Sequence, residues 1–119
     1  MAKKVLIVED DMILSMVNKK YIEILGHKVV QCVRTGLDAI AAAKKYQPDI
    51  ILMDIRIEGD MDGIEAMVEI RKFLVTNVIY LTGNSDPLTK QRVDQSDMLA
   101  FCIKPVSIDD LKAILEQVV

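Results

Sequence analysis

Five short apolar runs, separated by helical patterns, constrain this chain more than any other feature of its 119 residues. They fall at 4–8, 29–33, 50–53, 78–81 and 100–103. Several are apolar at successive positions rather than alternating ones. A strand of that kind must be covered on both faces, which a parallel sheet between helical layers provides. Helices fill the intervals. Asp11 caps a first helix in which Ile13, Leu14, Val17, Tyr21, Ile24 and Leu25 recur at helical spacing, and Gly26 stops it. Thr35 caps a second helix that runs through three alanines to Tyr46, before Pro48 halts it. A third spans about 62–74. Ser107 with Asp110 reads as a capping box opening the last helix, with Ile108, Leu111, Ile114, Leu115 and Val118 on one face. The fourth helix, about 86–95, carries Leu88 and Val93 and otherwise little to bury. It is either an ordinary surface helix or a locally unstable, easily shifted one. Five βα units imply a doubly wound α/β sheet with helices on both faces.

Length and charge narrow the function. The chain has room for one domain, and 51% hydrophobic with 28% charged residues is a globular composition. The net charge of −3 argues against a basic nucleic-acid-binding face. No apolar run approaches the roughly 18–20 residues of a membrane span, and Glu9 and Asp10 cut the first run too short for a signal peptide. Two cysteines without CxxC spacing suggest neither a disulfide framework nor a zinc site. A soluble cytoplasmic domain is the default expectation.

Functional groups of an open α/β sheet gather beyond the carboxyl ends of its strands. The first run ends in Glu9-Asp10-Asp11, the third in Asp54, the fourth in Thr82-Gly83 and the fifth in Lys104-Pro105. Carboxylates crowded at one edge repel, by roughly 4 kcal/mol for two charges about 4 Å apart at an effective dielectric near 20. A hard divalent cation such as Mg²⁺ relieves that repulsion. A hydroxyl and an ammonium beside it suit a tetrahedral anion, and a carboxylate can itself be the nucleophile that forms an acyl phosphate.

The set Glu9/Asp10, Asp54, Thr82 and Lys104-Pro105 resembles the receiver domain of two-component response regulators, over the whole chain (1–119) and in strand order and spacing. The resemblance implies a flavodoxin-like (βα)5 sandwich with a parallel sheet of order 2-1-3-4-5. It implies that Asp54 is the phosphoacceptor, taking a phosphoryl group from a sensor histidine kinase or a phosphotransfer protein. Asp10 would be the direct Mg²⁺ ligand, Glu9 the acid that binds the metal through water, and the backbone carbonyl of Arg56 a further ligand beside Asp54. Asp11 is read as a helix cap rather than a ligand. Thr82 would hydrogen-bond the phosphoryl oxygen, Gly83 would leave the approach open, and Lys104 would pair with the phosphoryl oxygens. Pro105 matches the family's cis-peptide position, where cis is cheapest. Phe101 matches its aromatic switch, here without a hydroxyl and so favoured inward by burial. The response would be a shift of the face formed by helix four, strand five and helix five.

Two positions depart from the pattern. The stretch from Ile57 to Gly63 lacks the family's usual proline and is one residue longer, so a more acidic and more flexible loop is expected there. Arg56 and Asn84 occupy variable positions that influence loss of the acyl phosphate; Arg56 either contacts the phosphate or a partner, or is simply solvated. His27 lies in a turn, which argues against a histidine phosphotransfer role. Cys32 and Cys102 fall on opposite edges of the expected sheet, too far apart to bond at about 4.8 Å per strand.

Other readings compete. A haloacid dehalogenase-like Mg²⁺-dependent phosphatase would need a second Asp where Arg56 stands. A flavodoxin-like cofactor carrier would need a phosphate loop where Glu9, Asp10 and Asp11 would repel the phosphate. A degenerate receiver acting as a constitutive binding module would be expected to have lost a site residue. The receiver would thus be no enzyme beyond its own phosphorylation and dephosphorylation, and would bind neither nucleic acid nor membrane directly. It would act on a downstream protein target or through an output domain outside these residues. A start at Met1-Ala2-Lys3-Lys4 directly before the first strand argues against a receiver at the C-terminus of a kinase.

Overall fold

The computed structural model describes residues 2–83, 87–95 and 97–118. Strands and helices alternate along the chain: β1 (Lys4–Val8), α1 (Met12–Ile24), β2 (Lys28–Val33), α2 (Gly36–Tyr46), β3 (Ile50–Asp54), α3 (Gly63–Ile70), β4 (Asn77–Thr82), α4 (Pro87–Asp94), β5 (Ala100–Ile103) and α5 (Ile108–Leu115). The five strands pair in parallel in the order β2-β1-β3-β4-β5. This is the expected flavodoxin-like sheet.

Successive apolar residues are explained by the two layers that cover the sheet. Leu6, Val8, Ile51, Met53, Val78 and Tyr80 point into one core with residues of α2 and α3 and Val93 of α4. Val5, Ile7, Ile50, Leu52, Ile79 and Leu81 point into the other with Ile22 of α1 and Leu111 and Leu115 of α5. The central strands β1, β3 and β4 are therefore buried on both faces beyond their first residues, while the edge strands β2 and β5 remain partly open.

The caps follow side-chain chemistry. Asp11 accepts from the N–H groups of Ile13 and Leu14, Thr35 from Asp38, and Ser107 from Asp110, one arm of the expected capping box. Asp62 and Glu65 form a complete capping box on α3. Gly26, at φ 89°, turns the chain out of α1. The third helix ends at Ile70, earlier than the expected 74; its last turn unwinds over Arg71–Phe73 before Val75 and Thr76, whose branched side chains favour extended backbone.

Two helices bury only part of the residues that the apolar spacing suggests. In α1 the buried residues are Ser15, Asn18 and Ile22, with Leu14, Tyr21 and Leu25 half-buried, whereas Ile13 (74% exposed), Val17 and Ile24 face outward with Met12 and Met16. In α4 the anchors are Thr89 and Val93; Leu88 is exposed. The expected start of that helix at Asp86, like Asn84, lies outside the described residues. Cys32 and Cys102 are free thiols on the two edge strands.

Candidate functional site

Parallel register brings the strand ends together. Val8 pairs with Met53, Asp54 with Leu81 and Thr82 with Ile103, so the residues that follow these strands emerge in a row. The Lys104 N–H donates to the Thr82 carbonyl at 2.7 Å, which extends the β4–β5 ladder to the lysine. The next peptide, Lys104-Pro105, is cis, as expected.

Glu9 and Asp54 are 2% and 1% exposed, an unusual position for two acids. The Lys104 ammonium lies between them, 3.1 Å from Glu9 Oε1 and 2.9 Å from Asp54 Oδ2. Among the described residues, one cation facing two carboxylates leaves the cluster short of positive charge. Burial raises the Glu9 carboxyl above its ordinary value, reinforced by its hydrogen bond and repulsion with Asp54, against the opposing pull of the Asp11 N–H and Lys104. Burial likewise raises Asp10, with Glu9 adding to it. Burial draws Lys104 down, but the hydrogen bonds and charges of Asp54 and Glu9 outweigh it and hold the ammonium above the usual lysine value.

Carboxylate oxygens of Glu9, Asp10 and Asp54 lie within 4.8 Å of one another. Three hard oxygen donors at that spacing, with the carboxyls of Glu9 and Asp10 both raised, fit a small divalent cation. Asp11 is not in the cluster; its side chain is spent on the α1 cap, and its N–H donates to Glu9 Oε2. The Arg56 N–H donates to Asp54 Oδ1 at 3.3 Å, and the Arg56 side chain is exposed. Thr82 is buried at the end of β4. A Cβ added to Gly83 would meet Lys104 Cε at 3.9 Å, an ordinary contact, so this position lies beside the lysine stem. Phe101 is half-buried and packs against the α2–α3–α4 core.

Side chains of the loop after β3 reach partners on neighbouring segments. Glu58 pairs with Arg34 at 2.6 Å and its backbone bridges to Thr35. Met61 closes onto Gly36, and Asp62 pairs with Arg92 of α4 at 2.8 Å. These partners were not legible in the sequence, because they join loops far apart along the chain. His27 is structural: its Nδ1 accepts from the Lys3 N–H at 3.0 Å.

The profile of the response regulator receiver domain family matches residues 5–116. A probable C4-dicarboxylate response regulator, DctR, of Priestia megaterium is 32% identical over 115 residues, covering 95% of this chain and 50% of the relative. A probable histidine kinase 1 of Oryza sativa subsp. indica is 42% identical over 103 residues, covering 83% of this chain and 10% of the relative. The signal receiver domain of a modulated diguanylate cyclase from Desulfovibrio desulfuricans G20 superposes with a TM-score of 0.92 at 30% identity, covering 99% of this chain and 94% of that one. This chain belongs to the response regulator receiver domain family, the class of two-component signalling modules. It spans about half the length of the curated response regulators it matches first. Among the described residues, no helix is long and apolar enough to cross a membrane.

Proposed function

We propose that this receiver, occupying residues 1–119, takes a phosphoryl group on Asp54 from a phosphohistidine of a sensor histidine kinase or phosphotransfer protein. The observation that carries the reading is the buried Glu9–Lys104–Asp54 arrangement with Asp10 beside it. An Asp54 carboxylate oxygen attacks phosphorus, the P–N bond breaks, and the imidazole leaves with the electron pair, so an acyl phosphate replaces a phosphoramidate. Glu9, Asp10, Asp54 and the backbone carbonyl of Arg56 would hold Mg²⁺, with Glu9 acting through water. The metal supplies charge neutralisation at the transferring phosphoryl oxygens. Lys104 pairs with those oxygens, and the Thr82 hydroxyl is drawn to one of them. That movement makes room at Phe101 and shifts the face built from α4, β5 and α5.

This chemistry is confined to the receiver's own phosphorylation and dephosphorylation, with no separate substrate turned over. The exposed Arg56, standing where a haloacid dehalogenase-like phosphatase needs a second Asp, supports that view. The donor has a place to dock: Met12, Ile13 and Met16 of α1 present apolar surface next to the site, and a hollow of about 290 Å³ runs from Glu9 along Met12, Met16 and Lys19 to Arg34. The output is a downstream protein target or a further domain, and the net charge of −3 supports contact with protein rather than nucleic acid or membrane. The exposed free thiol of Cys32 suits a reducing cytoplasm.

Intact-mass spectrometry with Mg²⁺ and acetyl phosphate tests the reading. The expected result is one added phosphoryl group on the parent and none on Asp54→Asn. No addition, together with no Asp54-dependent binding of beryllium fluoride in Mg²⁺ buffer, would make the chain a constitutive binding module instead.

A further inference from the structure

The helix expected to move is fastened to the acceptor through a polar contact outside the site. α4 buries only Thr89 and Val93 of its eight residues. A cleft of about 350 Å³, backed by Tyr80 and lined by Ile64, Met67 and Val68 of α3, lies where α4 faces α3. Across it, Arg92 Nη1 of α4 donates to Asp62 Oδ2 at 2.8 Å. Asp62 is a fixed post, because its Oδ1 accepts from the Glu65 N–H and its own N–H donates to Glu65 Oε1. The next residue is seated on the acceptor strand. The Gly63 N–H donates to the Ile55 carbonyl at 2.8 Å, and a Cβ on Gly63 would fall 2.2 Å from the Asp54 carbonyl oxygen and 3.0 Å from Ile55 Cα. The N-terminus of α3 therefore packs directly on the backbone at Asp54 and Ile55. A side chain bound to Asp62 is referenced to the same backbone.

We infer that the Arg92–Asp62 pair is a restraint on the switch: it fastens α4 in its resting position to the acceptor-seated cap of α3 and so limits the fraction of molecules active before phosphorylation. This rests on the phosphoacceptor reading above and adds its regulation. A partly exposed ion pair is a weak latch, which suits a device that a single phosphoryl group must override. Its strength should fall as salt rises, since both side chains reach solvent.

Arg92→Gln and Asp62→Asn test the restraint; asparagine caps a helix about as well as aspartate, so the second variant removes the charge and keeps α3. Two readouts are needed: amide hydrogen exchange of α4 in Mg²⁺-free buffer, and the midpoint of a beryllium fluoride titration at fixed Mg²⁺. Each variant should speed exchange in α4 and lower the midpoint about two- to fivefold, the range of an exposed pair. The double variant should add nothing, and high salt should bring the parent towards the variants. A parent that responds to beryllium fluoride while Arg92→Gln titrates at the same or a higher midpoint would overturn the restraint alone. A parent with no Asp54-dependent response would overturn the phosphoacceptor reading, and the restraint with it.

Discussion

At the end of β1 the charge of Asp10 works against the fold. Its carboxyl is raised by burial and by Glu9, so the folded chain binds a proton more readily than the unfolded one. Whatever stability Asp10 contributes is present below the ordinary aspartate value and is lost as pH rises through the raised one. Asp10→Asn should therefore stabilise the metal-free protein at neutral pH, read as a higher melting temperature, and should abolish most of the further rise that millimolar Mg²⁺ gives the parent. A lower melting temperature for the variant in metal-free buffer would contradict this. Lys104 has the opposite role. Lys104→Met leaves Glu9 and Asp54 facing each other without a cation. The expected loss in chemical denaturation is about 3 kcal/mol, at the low end for an orphaned buried charge because the raised Glu9 can take up a proton. These residues were legible in the sequence because each is a polar group directly after an apolar run. Their pairing was not, since which acid a lysine reaches depends on side-chain paths no spacing encodes. The Arg92–Asp62 contact was hidden for the same reason.

Among the elements, α1 is where the apolar spacing held only in part: Leu14, Tyr21 and Leu25 are half-buried, but Ile13, Val17 and Ile24 face outward. It carries apolar residues around most of its circumference, so periodicity alone cannot choose the buried side. The sheet seats Ser15, Asn18 and Ile22 and leaves Ile13 and Val17 outward. The polar Ser15 and Asn18 count against a buried face in any hydropathy reading, although burial of a satisfied polar group costs little. Two substitutions separate the faces. Ile22→Ala should cost about 2–5 kcal/mol by leaving a cavity between α1 and the sheet. Ile13→Ser should stay within about 0.5 kcal/mol of the parent in urea unfolding. The same variant should slow phosphotransfer from a phosphohistidine donor while leaving acetyl phosphate labelling unchanged, because only the protein donor would use the apolar surface of α1. Equal destabilisation by the two substitutions would restore the face that spacing suggested. In the loop from Ile57 to Asp62 the acidic residues look solvated in sequence, but Glu58 and Asp62 meet arginines just after β2 and in α4.

Across the whole molecule, the order of the sheet followed from five βα units and a family resemblance, because both core layers were written into successive strand residues. What was not written is how the two ends of β1 respond to pH with opposite sign. Below its start, His27 Nδ1 accepts from the Lys3 N–H. Burial, with repulsion from Lys3, lowers the imidazole from its ordinary value of 6.5, so the fold favours the neutral ring. Stability from His27 is then fully present above the unfolded value and is lost as pH falls through the lowered one. Beyond the other end of β1, Glu9 and Asp10 are raised, and their protonation on acidification favours the fold. A net profile mixes the two, but a substitution can isolate one. His27→Asn keeps an acceptor for the Lys3 N–H and removes the titration. Between about pH 7.5 and about pH 5.5 the urea midpoint of the parent should therefore fall relative to that of His27→Asn, by no more than the roughly 1.4 kcal/mol per pH unit that one proton allows. Saturating Mg²⁺ should leave that difference intact while changing the slope of both proteins, because the metal would act at the far end of the strand. Parallel profiles for parent and variant would show that the lower end of β1 is held by something other than this ring.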